Sequence, residues 1–141
     1  MKPDLLVIDD DEIIWILIKD MLQELGLVEN LTTFSDSEAA LEYLEGLDHT
    51  QAPPLIMLDL NLPFISGLEF LEIYQRKHCE RLSETAIYIL SSSIRESDRT
   101  ETLKYPFVRD FISKPLKIER LKAVLDAQLK HNAQISTQTQ T

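Results

Sequence analysis

Cysteine, glycine and net positive charge are what this 141-residue sequence has least of, and each shortage closes off a class of function. Its one cysteine, Cys79, excludes a disulfide framework and makes a cytoplasmic location the expectation. Cys79 itself reads as a small buried or half-buried side chain with no assigned chemistry. Of the three glycines, Gly26 and Gly46 each follow an apolar helical pattern, where a left-handed C-terminal cap is wanted, and Gly67 stands at a helix start. None is left for a glycine-rich phosphate loop, which excludes nucleotide-binding folds of the Walker or dinucleotide type. Basic residues number 14 against 24 acidic ones, for a formal net charge of −10. Phosphate contacts need clustered Lys and Arg, so nucleic acid is excluded as a direct partner. No stretch reaches the apolar length of a membrane span, and Asp4 and Asp9-Asp10-Asp11 come too early for a signal peptide's apolar region.

What is present fits one globular domain, with 44% hydrophobic and 27% charged residues. The chain is organised around Leu55–Gly67 (Leu-Ile-Met-Leu-Asp-Leu-Asn-Leu-Pro-Phe-Ile-Ser-Gly). Leu55–Leu58 shows no polar alternation, the mark of a strand covered on both faces, and Pro63 prevents its continuation. Asp4–Ile8 reads as a first buried strand. Asn30–Phe34, Ala86–Leu90 and Val108–Ile112 read as the second, fourth and fifth. Helices are expected over Asp11–Leu25, from the capping box Ser35–Glu38 to Glu45, from Ser66–Glu69 through Tyr74, from Ser93–Glu96 to Lys104, and over Lys117–Lys130. The Ile13–Ile18 run has no period of its own, but the spacing continuing to Leu25 favours helix. Five alternations of strand and helix imply a parallel sheet with helices on both faces. The domain spans residues 1–130, and the polar, aperiodic residues 131–141 read as a disordered tail.

In such a sheet the strand ends share one edge, and here they carry Asp9-Asp10, Asp59, Ser91 and Lys114. Carboxylates about 5 Å apart repel by roughly 3 kcal/mol per pair at an effective dielectric of about 20, so the cluster invites a hard divalent cation such as Mg²⁺. A carboxylate can attack phosphorus to give an aspartyl phosphate, while metal and lysine neutralise the transferring group and a serine hydroxyl donates to it.

Val-Ile-Asp-Asp at 7–10, Leu-Asp-Leu-Asn-Leu-Pro at 58–63 with Gly67 following, Ser91, and Lys114-Pro115 appear in the order and spacing of a receiver domain of a two-component response regulator, which the chain resembles from residue 4 to about 130. The resemblance implies a flavodoxin-like, doubly wound five-stranded parallel sheet of order 2-1-3-4-5. It implies that Asp59 accepts a phosphoryl group from a histidine kinase or histidine phosphotransfer protein. Asp10, Asp59 and the backbone carbonyl of Asn61 would bind Mg²⁺, with Asp9 acting through water. Lys114 would pair with the phosphate, and Pro115 would follow a cis bond. Ser91 and Phe111 would form the switch, and Asn61 and Ser93 would tune phosphate lifetime. Three positions depart from the commonest pattern: Ser66 for Asp, Ser91 for Thr and Phe111 for Tyr. The reading is of a stand-alone phosphoprotein, a phosphorylation-controlled switch or a phosphoryl shuttle in a phosphorelay, with a downstream protein the sequence does not identify, monomer or weak dimer, and not an enzyme in its own right.

Two rivals are weighed against it. An Asp-nucleophile phosphatase wants a second Asp two positions on as general acid, and the amide of Asn61 cannot serve. A phosphate-independent interaction module would be expected to lose part of the acidic set, Ser91 or Lys114. Asp11 reads as a helix start favoured by the dipole. Trp15 and Ile16 read either as a broad core contact or, more sharply, as the kinase's docking face. His49, His78 and His131 lack ligand spacing and are expected to face solvent.

Overall fold

The computed structural model describes residues 5–26 and 30–128 of the chain. Strands β1 (Leu5–Ile8), β2 (Leu31–Phe34), β3 (Leu55–Leu58), β4 (Ala86–Ser91) and β5 (Val108–Ser113) pair in parallel in the order β2-β1-β3-β4-β5. They alternate with helices α1 (Glu12–Leu25), α2 (Ser37–Glu45), α3 (Gly67–Lys77) and α4 (Glu96–Leu103), and a last helix, α5, runs over 118–128 within the described residues. The expected tail at 131–141, Asp4, His131 and the end of the last helix lie outside them.

Every residue of β1, β3 and β4 is buried, which is why those segments read as unbroken apolar runs. Successive side chains still point to opposite faces, and this sorts the core into two halves. Leu6, Ile8, Ile56, Leu58, Ile87 and Ile89 pack toward Phe70, Leu71 and Tyr74 of α3. Leu5, Val7, Leu55, Met57 and Leu90 pack toward α1 (Ile14, Ile18, Leu22) and α5 (Leu121, Val124, Leu125). Each fully buried Leu or Ile contributes about 1.5–3 kcal/mol, so both layers are firmly held to the sheet.

Helix starts divide the three Ser-x-x-Glu sequences. Ser66 and Glu69 form the full reciprocal box at the start of α3. At α2 the cap is Asp36, not Ser35: its carboxylate accepts from the Ala39 N–H at 2.8 Å. Asp caps as well as Ser, and it stands one residue nearer the first turn. At α4 the expected box does not form, and the N-cap Arg95 makes no side-chain capping bond. The Ser93 hydroxyl instead donates to Asp98 Oδ2 at 2.5 Å and accepts from the Arg95 N–H at 3.2 Å.

Gly26 takes the expected left-handed cap at φ +63°, whereas Gly46 caps α2 in the right-handed region at φ −81°. His78 does not face solvent. It is buried at the end of α3, and Arg81 donates to its Nδ1 at 2.8 Å. The same guanidinium reaches the Leu44 and Leu47 carbonyls at the end of α2, each at 2.8 Å.

Candidate functional site

Two neighbouring central strands, β1 and β3, deliver the acidic residues to one spot. Asp59 ends β3 between the ends of β1 and β4, and its N–H donates to the Ile8 carbonyl at 2.9 Å, so the sheet itself sets its backbone. Asp9, Asp10 and Asp59 each offer a carboxylate oxygen, all within 4.8 Å of one another. Asp9 is 1% exposed and Asp59 5%, while Asp10 faces solvent. β5 supplies the cation. The Lys114 N–H donates to the Ser91 carbonyl at 2.9 Å. Its ammonium then reaches Asp9 Oδ2 at 2.9 Å and Asp59 Oδ2 at 3.6 Å. The peptide bond from Lys114 to Pro115 is cis, as the resemblance implied.

Burial pushes the Asp59 carboxyl above its ordinary value. The Asn61 N–H, donating to Oδ1 at 3.2 Å, pulls it back, the charges of Asp9 and Asp10 push it up, and Lys114 opposes them. Burial works against the Lys114 ammonium, but the Asp9 hydrogen bond and the charges of Asp59, Asp9 and Asp11 outweigh it and raise the pKa. Three carboxylates against one ammonium leave an excess of negative charge made wholly of hard oxygen donors. At this spacing each like pair costs roughly 3 kcal/mol at an effective dielectric of about 20, and an oxygen-seeking divalent ion such as Mg²⁺ fits that set.

Ser91 and Phe111 lie on neighbouring strands but in different surroundings. Ser91 ends β4 fully buried, its hydroxyl accepting from the Ser93 N–H at 3.1 Å. Phe111 is buried in the α3-side core, away from the acidic well, with the Arg99 guanidinium 5.8 Å from its ring centre. That is within cation–π range.

Three features escaped sequence reasoning. Gly67 is forced by close approach: a Cβ there would sit 2.6 Å from both the Asp59 carbonyl oxygen and the Leu60 Cα. Phe64, 93% exposed, holds φ +64°, a left-handed conformation that a bulky residue rarely adopts. Trp15 is half-buried, and its indole N–H donates to the Asp9 carbonyl at 2.9 Å. Its neighbours Ile13 and Ile16 are the exposed apolar residues of α1. A groove of about 450 Å³ runs between α1 and β2 past Trp15 and Lys19, away from the acidic well.

Comparison with known proteins agrees with this geometry. Residues 5–126 match the family described as response regulator receiver domain. The probable methanogenesis regulatory protein FilR2 of Methanothrix harundinacea is 30% identical over 125 residues, covering 86% of this chain and 78% of that protein. The chain spans about half the length of several curated transcriptional regulatory relatives. Among solved structures, a two-component response regulator from Cytophaga hutchinsonii superposes with a TM-score of 0.80 at 26% identity, covering 92% of this chain and 99% of that one. The receiver domain of a sensor histidine kinase from Pseudomonas aeruginosa, with a magnesium ion coordinated in its active site cleft, shares the fold at a TM-score of 0.74 and 21% identity. Coverage there is 92% and 99%. A sheet wound in this order, an acidic well at its carboxyl edge and a family match over nearly the whole described chain agree: the protein belongs to the response regulator receiver domains of two-component systems.

Proposed function

We propose that this receiver domain takes a phosphoryl group onto Asp59 from the phosphohistidine of a histidine kinase or histidine phosphotransfer protein, in a Mg²⁺-dependent reaction, and signals by switching conformation. One observation carries the reading: three carboxylates converge within 4.8 Å, with an ammonium 3.6 Å from the Asp59 carboxylate. Receiver domains as a family bind Mg²⁺ in the active site and interact with histidine kinases or phosphotransfer proteins. Asp10, Asp59 and the Asn61 backbone carbonyl would hold the ion, with Asp9 acting through water. When bound, it supplies the positive charge that offsets carboxylate and phosphoryl oxygens.

The chain's own residues do the rest. An Asp59 oxygen attacks phosphorus; the new P–O bond forms as the P–N bond to the donor imidazole breaks, and the leaving ring takes up a proton. Lys114 neutralises charge on the transferring group, and the Ser91 hydroxyl has a hydrogen free to donate to a phosphoryl oxygen. Asn61 offers no acid for turnover on small phosphoesters, so the domain is a phosphoacceptor rather than a phosphatase.

A protein donor must reach Asp59 past α1 and the loops after β3 and β4. Their apolar tips, Ile13, Ile16, Phe64 and Ile94, are exposed and suit the apolar face of a helical bundle. On phosphorylation, Ser91 and Phe111 would relay the change to α4, β5 and α5. Incubation with acetyl phosphate and Mg²⁺ tests the reaction. The expected result is a mass gain of one phosphoryl group at Asp59, absent in Asp59→Asn. An unaltered mass, or a label elsewhere, overturns it.

A further inference from the structure

Asp9 is held at every polar atom it has. Its N–H donates to the Phe34 carbonyl at 3.0 Å, its Oδ1 accepts from the Asp11 N–H at 2.9 Å, and its Oδ2 meets Lys114 at 2.9 Å. The fourth group is its backbone carbonyl, at the point where β1 gives way to the turn into α1. That carbonyl takes the indole N–H of Trp15, 2.9 Å away and six residues along the chain. Indole is a donor only, so this bond uses the one polar function Trp15 possesses. Buried carbonyls left without a donor are costly, which makes the contact more than incidental.

The bond bridges the turn from the strand end to the second turn of α1, and Asp10 lies inside the bridge. Among the described residues the Asp10 side chain has no hydrogen bond or ion pair of its own. Its direction is therefore set by its backbone, and its backbone by what pins the turn. We infer that Trp15 is a positioning residue for the acidic well: its indole bond to the Asp9 carbonyl fixes the turn that aims the Asp10 carboxylate at the metal. The inference rests on the Mg²⁺ reading of the well and adds a residue outside the carboxylates to it.

The test replaces Trp15 with benzothienylalanine, which keeps the ring shape and deletes only the N–H, and titrates Mg²⁺ by calorimetry into both full-length proteins. One lost hydrogen bond is worth roughly a two- to twelvefold change in an equilibrium constant, so Mg²⁺ should bind about fivefold more weakly. A role confined to packing would move the melting temperature in EDTA and leave Mg²⁺ affinity alone. Equal Mg²⁺ affinity in the two proteins overturns the inference while leaving the metal reading intact. A native protein that binds no Mg²⁺ overturns both. If the variant does not fold, the native protein decides, because Trp15 is its only tryptophan. Emission that changes with Mg²⁺ saturation supports the coupling, and emission that stays flat overturns it.

Discussion

The two ends of the acidic edge are built to opposite specifications. At β1 and β3 the two buried acidic residues are tied on several sides, Asp9 through Phe34, Asp11, Lys114 and Trp15, and Asp59 through Ile8, Asn61 and Lys114. At α4, one buried residue, Thr102, faces the core, and no side chain caps the first turn. That helix is tied instead by the Ser93–Asp98 hydrogen bond, the Arg95–Asp98 ion pair and the Arg99 stack on Phe111. The Arg95 and Arg99 partners in these ties are exposed, and such contacts are individually worth about 1 kcal/mol or less. Chemistry needs fixed geometry, and reporting needs an element that moves cheaply. On the proposed reading, the sheet would serve the first need and this polar helix the second.

That contrast can be broken or sharpened by measurement. The largest effect is expected at Gly67. Gly67→Ala drives a methyl into the Asp59 and Leu60 backbone and should cost about 3 kcal/mol, read as a fall in denaturant midpoint with weakened Mg²⁺ binding. Next is Asp59→Asn in EDTA, which removes a buried like charge and should stabilise the fold by about 2 kcal/mol at neutral pH. The sign with pH follows from the raised Asp59 pKa. The protonated carboxyl favours the fold fully below the unfolded value of 3.8, and that support is lost as pH rises through the higher folded value. The advantage of the Asn variant should therefore vanish near pH 4. Asp10→Asn, at an exposed position, should give a smaller rise in melting temperature than Asp59→Asn. Phe64→Gly relieves a left-handed backbone without losing packing and should stabilise by about 1 kcal/mol. The smallest change is at the loose end. Arg99→Gln should leave stability within about 0.5 kcal/mol. It should also broaden the Phe111 ring signals in NMR spectra, and unchanged spectra would mean that α4 does not restrain the ring.

Legibility followed the range over which each feature is determined. The strands could be anticipated because a strand buried on both faces leaves an unbroken apolar run, and such runs alternated with helical periods; their order came only with the family resemblance. The acidic set was readable because strand ends share an edge whatever the intervening sequence. Local capping was only partly readable. Identical Ser-x-x-Glu sequences gave a box at Ser66 and none at Ser35 or Ser93, because Asp36 competes for one site and Asp98 for the other. Side chains that act across space were invisible to pattern. Nothing in the spacing placed the Trp15 indole on the Asp9 carbonyl or the Gly67 Cα against Leu60, and the burial of His78 needed Arg81 beside it.

Arg81 has a consequence of its own. One guanidinium gathers two carbonyls from the end of α2 and the imidazole of His78 from the end of α3, so that ring must present a lone pair at Nδ1. Burial and then the Arg81 charge hold His78 below its ordinary value. Its contribution is complete above the unfolded value of 6.5 and drains away as the solution is acidified through the lower folded one, when two cations come to face each other across the helix junction. Acid should thus loosen the α2–α3 corner at His78 while it relieves Asp59, so that two groups far apart in the fold pull stability in opposite directions as the pH falls.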